Sequence, residues 1–389
     1  MKIALLLDGE IRNDGRVRRI TESLSEFHQV DLFCVRSTFD DQGLFNKNVR
    51  VFHYDLTLSW INVNLRLDQK FDTLFSLVLQ YNKTYDLIYV NDYPLLSTGV
   101  KLKQVIGGKL IYDSHEIYIA TMNQFFPQKG WKSLYGKPLT WINQWFHKQR
   151  ERRHLIQVDQ MITVCDSFKT YFETTYDVPP ILVVKNCPKE VGEYSQTNLL
   201  REKLNLSDQD KILLYQGDVN ISRGIEITAN ALQFLTDDIH FVVLGGGTKL
   251  NEFKEKYTQS NIHFYGKVPF EELYDYTRSA DLCIMLIENY NLSKKLTLPN
   301  KAFEYMVAGK PYITNQLPEV SKIVKEENCG FVIDDSTPES TAIAIQNAFK
   351  HQNLDELGRN GYTAVLTKYN WENEVKKLLD YVSTVRTSL

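Results

Sequence analysis

Short apolar runs alternate with stretches whose apolar residues recur at helical spacing, and this alternation extends past residue 310. Lys2 to Leu7 reads as a buried strand. Arg16 to Phe27 reads as a helix, with Val17, Ile20 and Leu24 on one face. Further strands are predicted at Val30 to Val35, Val49 to Tyr54, Asp86 to Asn91, Lys109 to Tyr112, Gln160 to Val164 and Ile181 to Lys185, with a helix over Asp68 to Tyr81. The pattern then restarts. Strands are predicted at Lys211 to Tyr215, His240 to Leu244, Ile262 to Tyr265, residues 281–287 and Tyr312 to Thr314, with helices at Gly224 to Phe234, after the triple glycine to Tyr257, and at Phe270 to Ser279. Repeated strand–helix units imply parallel sheets covered by helices on both faces, the α/β class.

The stretch 188–210 interrupts the pattern. It is polar until Leu199 and reads as a linker. The expected organisation is therefore a Rossmann-like domain over 1–187, a linker over 188–210, a second Rossmann-like domain over 211–370, and a helix over 371–389 that packs back toward the first domain. The last segment carries Val375, Leu378, Leu379 and Val382 on one face. Two such domains face to face would leave a cleft, and open parallel sheets bind ligands at the carboxyl ends of their strands.

Composition narrows the function. The 389 residues are 43% apolar and 24% charged, with a net charge of -3. That length favours two domains, and that charge gives no reason to expect nucleic acid as a partner. The five cysteines are scattered and read as reduced, buried thiols of a cytoplasmic protein. The first apolar run meets Asp8-Gly9-Glu10 at once, too early for a signal peptide. No apolar run approaches the roughly 20 residues needed to span a bilayer.

The most informative stretch is Leu298-Pro299-Asn300-Lys301-Ala302-Phe303-Glu304-Tyr305-Met306, just after an apolar strand. A helix starting at the Pro-Asn break beside a strand end offers N–H groups and a favourable dipole to phosphate. Glu304, one turn inside, can accept hydrogen bonds from a sugar diol. Diphosphate and ribose are the recognisable parts of a nucleotide sugar, so the stretch points to glycosyl transfer.

Other pieces agree in order and spacing. They are Asn13-Asp14-Gly15-Arg16-Val17-Arg18-Arg19, Tyr112-Asp113-Ser114-His115-Glu116, residues 158–167, Tyr215-Gln216-Gly217 with Ser222-Arg223-Gly224-Ile225-Glu226, Val243-Leu244-Gly245-Gly246-Gly247, and Tyr265-Gly266-Lys267-Val268-Pro269. Over its whole length the chain resembles the family 4 glycosyltransferases, retaining enzymes of the two-domain GT-B fold that use nucleotide-sugar donors. The resemblance implies that Glu304 holds the donor ribose, that Arg223 and Lys301 clamp the diphosphate, and that His115 touches the donor sugar. Together these four form the expected catalytic set. It further implies donor contacts from Gly15, Arg16, Gly217, Gly245, Gly246, Lys267, Val268, Leu298, Pro299 and Asn300, and acceptor contacts from Asp14, Asp92 and Glu116. The usual first glutamate of the family's pair is Leu296 here, so the segment specifies a nucleotide diphosphate better than any sugar.

The implied reaction needs no cofactor, and no metal is expected. The eight histidines lack ligand-like spacing and no Cys-x-x-Cys occurs. Asp208-Gln209-Asp210 precedes a strand and reads as a turn cap. The implied partners are a nucleotide-sugar donor, UDP-linked, and a hydroxyl acceptor on a glycan, glycolipid or protein in polysaccharide or glycoconjugate synthesis. Residues 125–153 mix Trp131, Tyr135, Trp141, Trp145 and Phe146 with lysines and arginines. That mixture suits peripheral contact with the inner face of a cell membrane. The simpler expectation is that Trp141, Ile142, Trp145 and Phe146 form the buried stripe of a core helix, with the basic end left for lipid. Two alternatives share the fold: a non-catalytic partner subunit of another transferase, and a sugar-nucleotide epimerase.

Overall fold

The computed structural model describes residues 1–37, 41–55, 71–122, 133–189, 191–288 and 291–387. The chain forms two compact units, Met1–Asn186 with Glu372–Leu389, and Cys187–Trp371.

The first unit is built on seven parallel strands: β1 (Lys2–Leu6), β2 (Gln29–Val35), β3 (Val49–Tyr54), β4 (Leu87–Asn91), β5 (Lys109–Ser114), β6 (Gln160–Thr163) and β7 (Ile181–Val183). Their order is β3-β2-β1-β4-β5-β6-β7. The sheet grows outward in both directions from β1 and β4. Those two neighbours form the topological switch point, where loops diverge to opposite faces and leave room for a ligand. All of β4 is buried, as a central strand covered on both faces requires. The helix Tyr93–Ile106 lies so close to the sheet that a Cβ at Gly99 would meet Val90 Cγ1 at 2.6 Å. The helix expected over 68–81 runs from Asp72 to Tyr81, and 68–70 lie outside the described residues.

The second unit repeats the plan with β8 (Lys211–Gln216), β9 (Ile239–Leu244), β10 (Ile262–Gly266), β11 (Leu282–Met285), β12 (Tyr312–Asn315) and β13 (Gly330–Ile333), ordered β10-β9-β8-β11-β12-β13. Its switch point lies between β8 and β11. The polar stretch after residue 187 is fastened to this unit by hydrogen bonds, by buried Leu200 and by the Tyr194 ring against Tyr362. It includes the helix Leu199–Leu204. Arg201 reaches the carbonyls of Ser207 and Asp210 and the carboxylate of Asp281, and Gly192 accepts the Tyr362 hydroxyl at 2.8 Å.

The helix Trp371–Thr387 returns the chain to the first unit. Leu378 and Val382 are fully buried, Glu374 accepts the Lys185 backbone N–H at 2.8 Å, and Lys377 donates to the Val183 carbonyl at 3.2 Å. All five cysteines are free and buried. Among the described residues no helix is long and apolar enough to cross a membrane.

The helix Ser133–Leu155 overturns one expectation. Trp141 is 69% exposed and Trp145 55%, with Ile142, Phe146 and Leu134 also exposed. The buried face is polar instead: Thr140, Asn143, His147 and Glu151. These side chains find partners inside. The Tyr93 hydroxyl lies 2.8 Å from His147 Nδ1, Asn143 donates to Met122 Sδ, and Tyr112 donates to Glu151. The periodicity was that of an amphipathic helix, but hydrogen bonding decided which face turned inward. Residues 125–132 of the basic aromatic segment, including Trp131, lie outside the described residues.

Candidate functional site

In the second unit the sequence-selected residues gather at the carboxyl ends of the strands. The helix Asn300–Val307 starts after Pro299, whose side chain cannot cap the first turn. Leu298 is buried and anchors that start. Glu304, one turn in, is held from behind: Gln216, the last residue of β8, donates its side-chain amide to Glu304 Oε2 at 2.7 Å. Gln216 is itself fixed, since its side-chain oxygen accepts the Thr277 hydroxyl and its backbone N–H donates to the Tyr305 hydroxyl at 3.1 Å. The carboxylate therefore has a set direction before any ligand arrives.

Lys301 lies beside it. Its ammonium sits 4.0 Å from the centre of the Tyr215 ring, in cation–π range, and next to Gly217. Burial and then the Arg223 charge push this lysine down to about 7, although Glu304 and Asp218 oppose them. Arg223 is partly exposed, with its guanidinium 3.7 Å from Asp218. Lys301 sits at a helix start and Arg223 is close enough to loosen its proton, so an added negative charge there would be stabilised by both.

The glycines bring two turns together. A Cβ at Gly245 would lie 1.9 Å from the Gly217 carbonyl oxygen, and one at Gly247 would lie 2.2 Å from that of Val219. The N–H groups of Gly217 and Gly245 are used by the Leu244 and Gly266 carbonyls, each at 2.8 Å. These residues let the turns after β8 and β9 touch. Gly246 is covered by the Lys267 side chain, and Lys267 and Val268 follow the end of β10. Leu296 ends the short helix Leu292–Leu296, which is capped by Asn291 accepting the Lys294 N–H at 2.8 Å.

In the first unit the residues form a closed ion network at the ends of β4 and β5. Arg16, only 3% exposed, makes two hydrogen bonds of 3.0 Å to Asp113 and one of 2.7 Å to the Val184 carbonyl. Asp113 also accepts the Tyr89 hydroxyl at 2.7 Å. Despite complete burial, the Arg16 and His115 charges hold the Asp113 carboxyl far below the usual carboxylate range. The His115 ring stands between Asp113, 3.3 Å from Nε2, and Asp92, 3.2 Å from Nδ1. Burial opposes the charge on this ring, but the two carboxylates raise its pKa well above the ordinary histidine value. Asp14 caps the helix Gly15–Ser25 by accepting the Val17 N–H at 2.9 Å, with Gly15 as that helix's first residue. Glu116 follows His115, and its carbonyl accepts the Ser114 hydroxyl. Sequence reasoning selected Arg16, Asp92 and His115 separately. It did not select Gln216, Thr277 or Tyr89, whose signal was only a polar or phenolic residue inside or beside an apolar strand.

One described group sets metal-ligand atoms close together: Cys34, Asp41 and His53, within 4.8 Å of one another. Cys34 and His53 are register partners on β2 and β3, with Sγ 3.7 Å from Nδ1. Arg12 already pairs with Asp41 at 2.8 Å, and burial with the Asp41 charge pushes the thiol up to about 12. A divalent cation would have to displace that proton. Asp210, in the Asp-x-Asp stretch, accepts the Ser207 N–H at 2.6 Å and closes a turn.

Comparison with known proteins agrees with this geometry. Residues 210–351 match the family model described as Glycosyl transferases group 1. An uncharacterized glycosyltransferase of Methanocaldococcus jannaschii is 20% identical over 312 residues, 76% of this chain and 74% of the relative. The lipopolysaccharide 1,2-N-acetylglucosaminetransferase of Salmonella typhimurium is 22% identical over 236 residues, 56% of this chain and 61% of the relative. Sucrose-phosphate synthase from Thermosynechococcus elongatus superposes with a TM-score of 0.79 at 18% identity, covering 100% of both chains. The Anabaena protein HepE in complex with UDP superposes at 0.75 and 16% identity, covering 99% of this chain and 100% of that one. The family match falls wholly inside the second unit, around the Glu304 helix, and the superpositions extend over both sheets. Residues 210–351 therefore carry a group 1 glycosyltransferase domain, and the two sheets have the GT-B fold of glycosyltransferases.

Proposed function

We propose that the chain moves a sugar from a UDP-linked donor to a hydroxyl acceptor in polysaccharide or glycoconjugate synthesis, with retention at the anomeric carbon. The observation that carries the donor half is Glu304, aimed by Gln216 and flanked by Lys301 and Arg223. The carboxylate accepts from the ribose hydroxyls. The two cations and the helix start receive the diphosphate, whose negative charge grows as the glycosidic bond breaks. Cations fixed in place stabilise that charge without reorganising. HepE binds UDP, which supports this choice of nucleotide. In the retaining course the donor phosphate takes the acceptor proton on the face where the sugar leaves, so no separate protein base is required.

Isothermal titration with UDP tests the donor site. Charged hydrogen bonds contribute about 1.5–3 kcal/mol, so Glu304→Ala is expected to weaken UDP roughly tenfold to a hundredfold. Unchanged affinity in a folded variant removes the ribose assignment.

The exposed face of the helix Ser133–Leu155 supports an acceptor held at an anionic bilayer on the cytoplasmic side. Leu134, Trp141, Ile142, Trp145 and Phe146 are exposed along the helix that also carries Lys137, Lys148, Arg152 and Arg153. Apolar side chains contribute about 1.5–3 kcal/mol each when fully buried, and basic residues near anionic headgroups about 1 kcal/mol each. The Salmonella relative acts on lipopolysaccharide, which agrees with such a location. Vesicles of phosphatidylglycerol and phosphatidylcholine should sediment the protein, and vesicles of phosphatidylcholine alone should not. Trp141→Ser with Trp145→Ser should abolish sedimentation while leaving UDP affinity intact. Equal binding of the double variant overturns this surface.

A further inference from the structure

Asp92 follows the last residue of β4, and its backbone is strained. Its φ of 61° and ψ of 161° lie in a region that essentially only glycine adopts. The strain is held by several bonds at once. The Asp92 N–H donates to the Asp113 carbonyl at 2.8 Å, and the Asp92 carbonyl accepts the Leu95 N–H at 3.3 Å. Oδ1 accepts the backbone N–H of His115 at 2.8 Å, and Oδ2 lies 3.2 Å from the Nδ1 of the same residue. One carboxylate thus grips both the main chain and the ring of His115. On the other side of the ring, Nε2 is buried 3.3 Å from Asp113, which already accepts three hydrogen bonds from Arg16 and Tyr89.

The charges around the ring add to a definite requirement. Asp92 and Asp113 bring two negative charges and Arg16 brings one positive charge, so the cluster is balanced only when His115 is protonated. Tyr89 stays neutral in this setting, its hydroxyl driven well up by burial and by Asp113. Glu116, next in the chain, adds negative charge nearby. A backbone held in so costly a conformation for the sake of one carboxylate indicates that placing this carboxylate matters more than local stability.

We propose that Asp92 is a positioning residue: it fixes the main chain and ring of His115 together at the carboxyl end of β5 and supplies the counter-charge that keeps the ring a cation toward the substrate. The ring is then a fixed electrostatic element rather than a proton shuttle, because each ring nitrogen lies within ion-pair distance of a carboxylate. This role rests on the reading of His115 as a substrate-facing group in sugar transfer. The arrangement itself does not, and the test separates the two.

Histidine NMR of the full chain, with the signal assigned by His115→Gln, reads the ring directly. In the unaltered protein the His115 ring should remain protonated from pH 6 to pH 8. An opposite charge at this distance shifts a pKa by about 1–3, so Asp92→Asn should bring His115 into titration within that window. Donor hydrolysis or transfer by Asp92→Asn should then fall as pH rises from 6 to 8, while the unaltered protein stays flat and UDP affinity is the same in both. A His115 that titrates near 6.5 in the unaltered protein overturns the proposal, and needs no variant to fold. So does an Asp92→Asn signal that does not move. A shifted signal without the new pH dependence of turnover overturns the positioning role. Turnover that is absent from the unaltered protein on UDP-, GDP- and dTDP-sugars, with the NMR result intact, counts against the transferase reading instead and leaves Asp92 as the holder of a cationic His115.

Discussion

The two units end their strands in opposite electrostatic conditions. In the first, Arg16, Asp113, Asp92 and His115 neutralise one another through short contacts, and Arg16 and Asp113 are nearly sealed from solvent. In the second, Lys301 and Arg223 crowd together and the lysine's proton is loosened to about 7. A self-balanced cluster is a rigid element and gains nothing from added charge. A lysine whose proton is loosened gains from an added negative charge. The same sheet architecture therefore carries a locked ion network in one unit and a loosened lysine in the other.

Breaking the closed network should have the largest effect. Asp113→Ala leaves Arg16 buried without its partner, and such losses cost about 3–5 kcal/mol. A calorimetric scan should show a lower unfolding temperature for the first unit. A variant as stable as the original protein would mean that Arg16 reaches water after all.

The receiving site should announce itself through pH. In the proposed donor site Lys301 must be protonated to hold the diphosphate, and a bound dianion raises its pKa. Binding is then accompanied by proton uptake once the pH is above about 7. Affinity for UDP should be highest below that value and fall as pH rises through it, by up to about tenfold per pH unit. Titration calorimetry in two buffers of different ionisation enthalpy counts the protons. Lys301→Arg, which stays charged, should remove the dependence, and a pH-independent original protein would contradict the comparison between the units.

The smallest effect should come from the support behind Glu304. Thr277→Val removes one hydrogen bond from Gln216, a loss of about 0.5–1.5 kcal/mol. UDP affinity should fall about twofold to tenfold, with folding barely changed. No fall would mean that Gln216 holds Glu304 without help.

The strands and the Glu304 helix were legible because their signals are local: an apolar run, a Pro-Asn break, a carboxylate one turn on. The groups that aim those residues were not. Gln216 and Glu304 are 88 positions apart and Arg16 and Asp113 are 97 apart, so nothing in either neighbourhood announces the pair. The helix Ser133–Leu155 failed for a related reason. Spacing reveals that a helix has two unlike faces, but which face is buried depends on partners such as Tyr93 and Tyr112 on other elements. The cysteine–histidine–aspartate group was invisible for the same cause, since β2 and β3 set Cys34 beside His53.

The return of residues 372–389 to the first unit has a consequence for synthesis on the ribosome. Domains generally fold as units in the order they emerge. Here the earlier unit lacks Leu378, Val382 and the carboxylate that holds the Lys185 N–H until the last helix is made. The later unit has all of its strands before that. Completion therefore runs backwards along the chain, and a nascent chain stalled before residue 372 would carry a finished second unit attached to an unfinished first one.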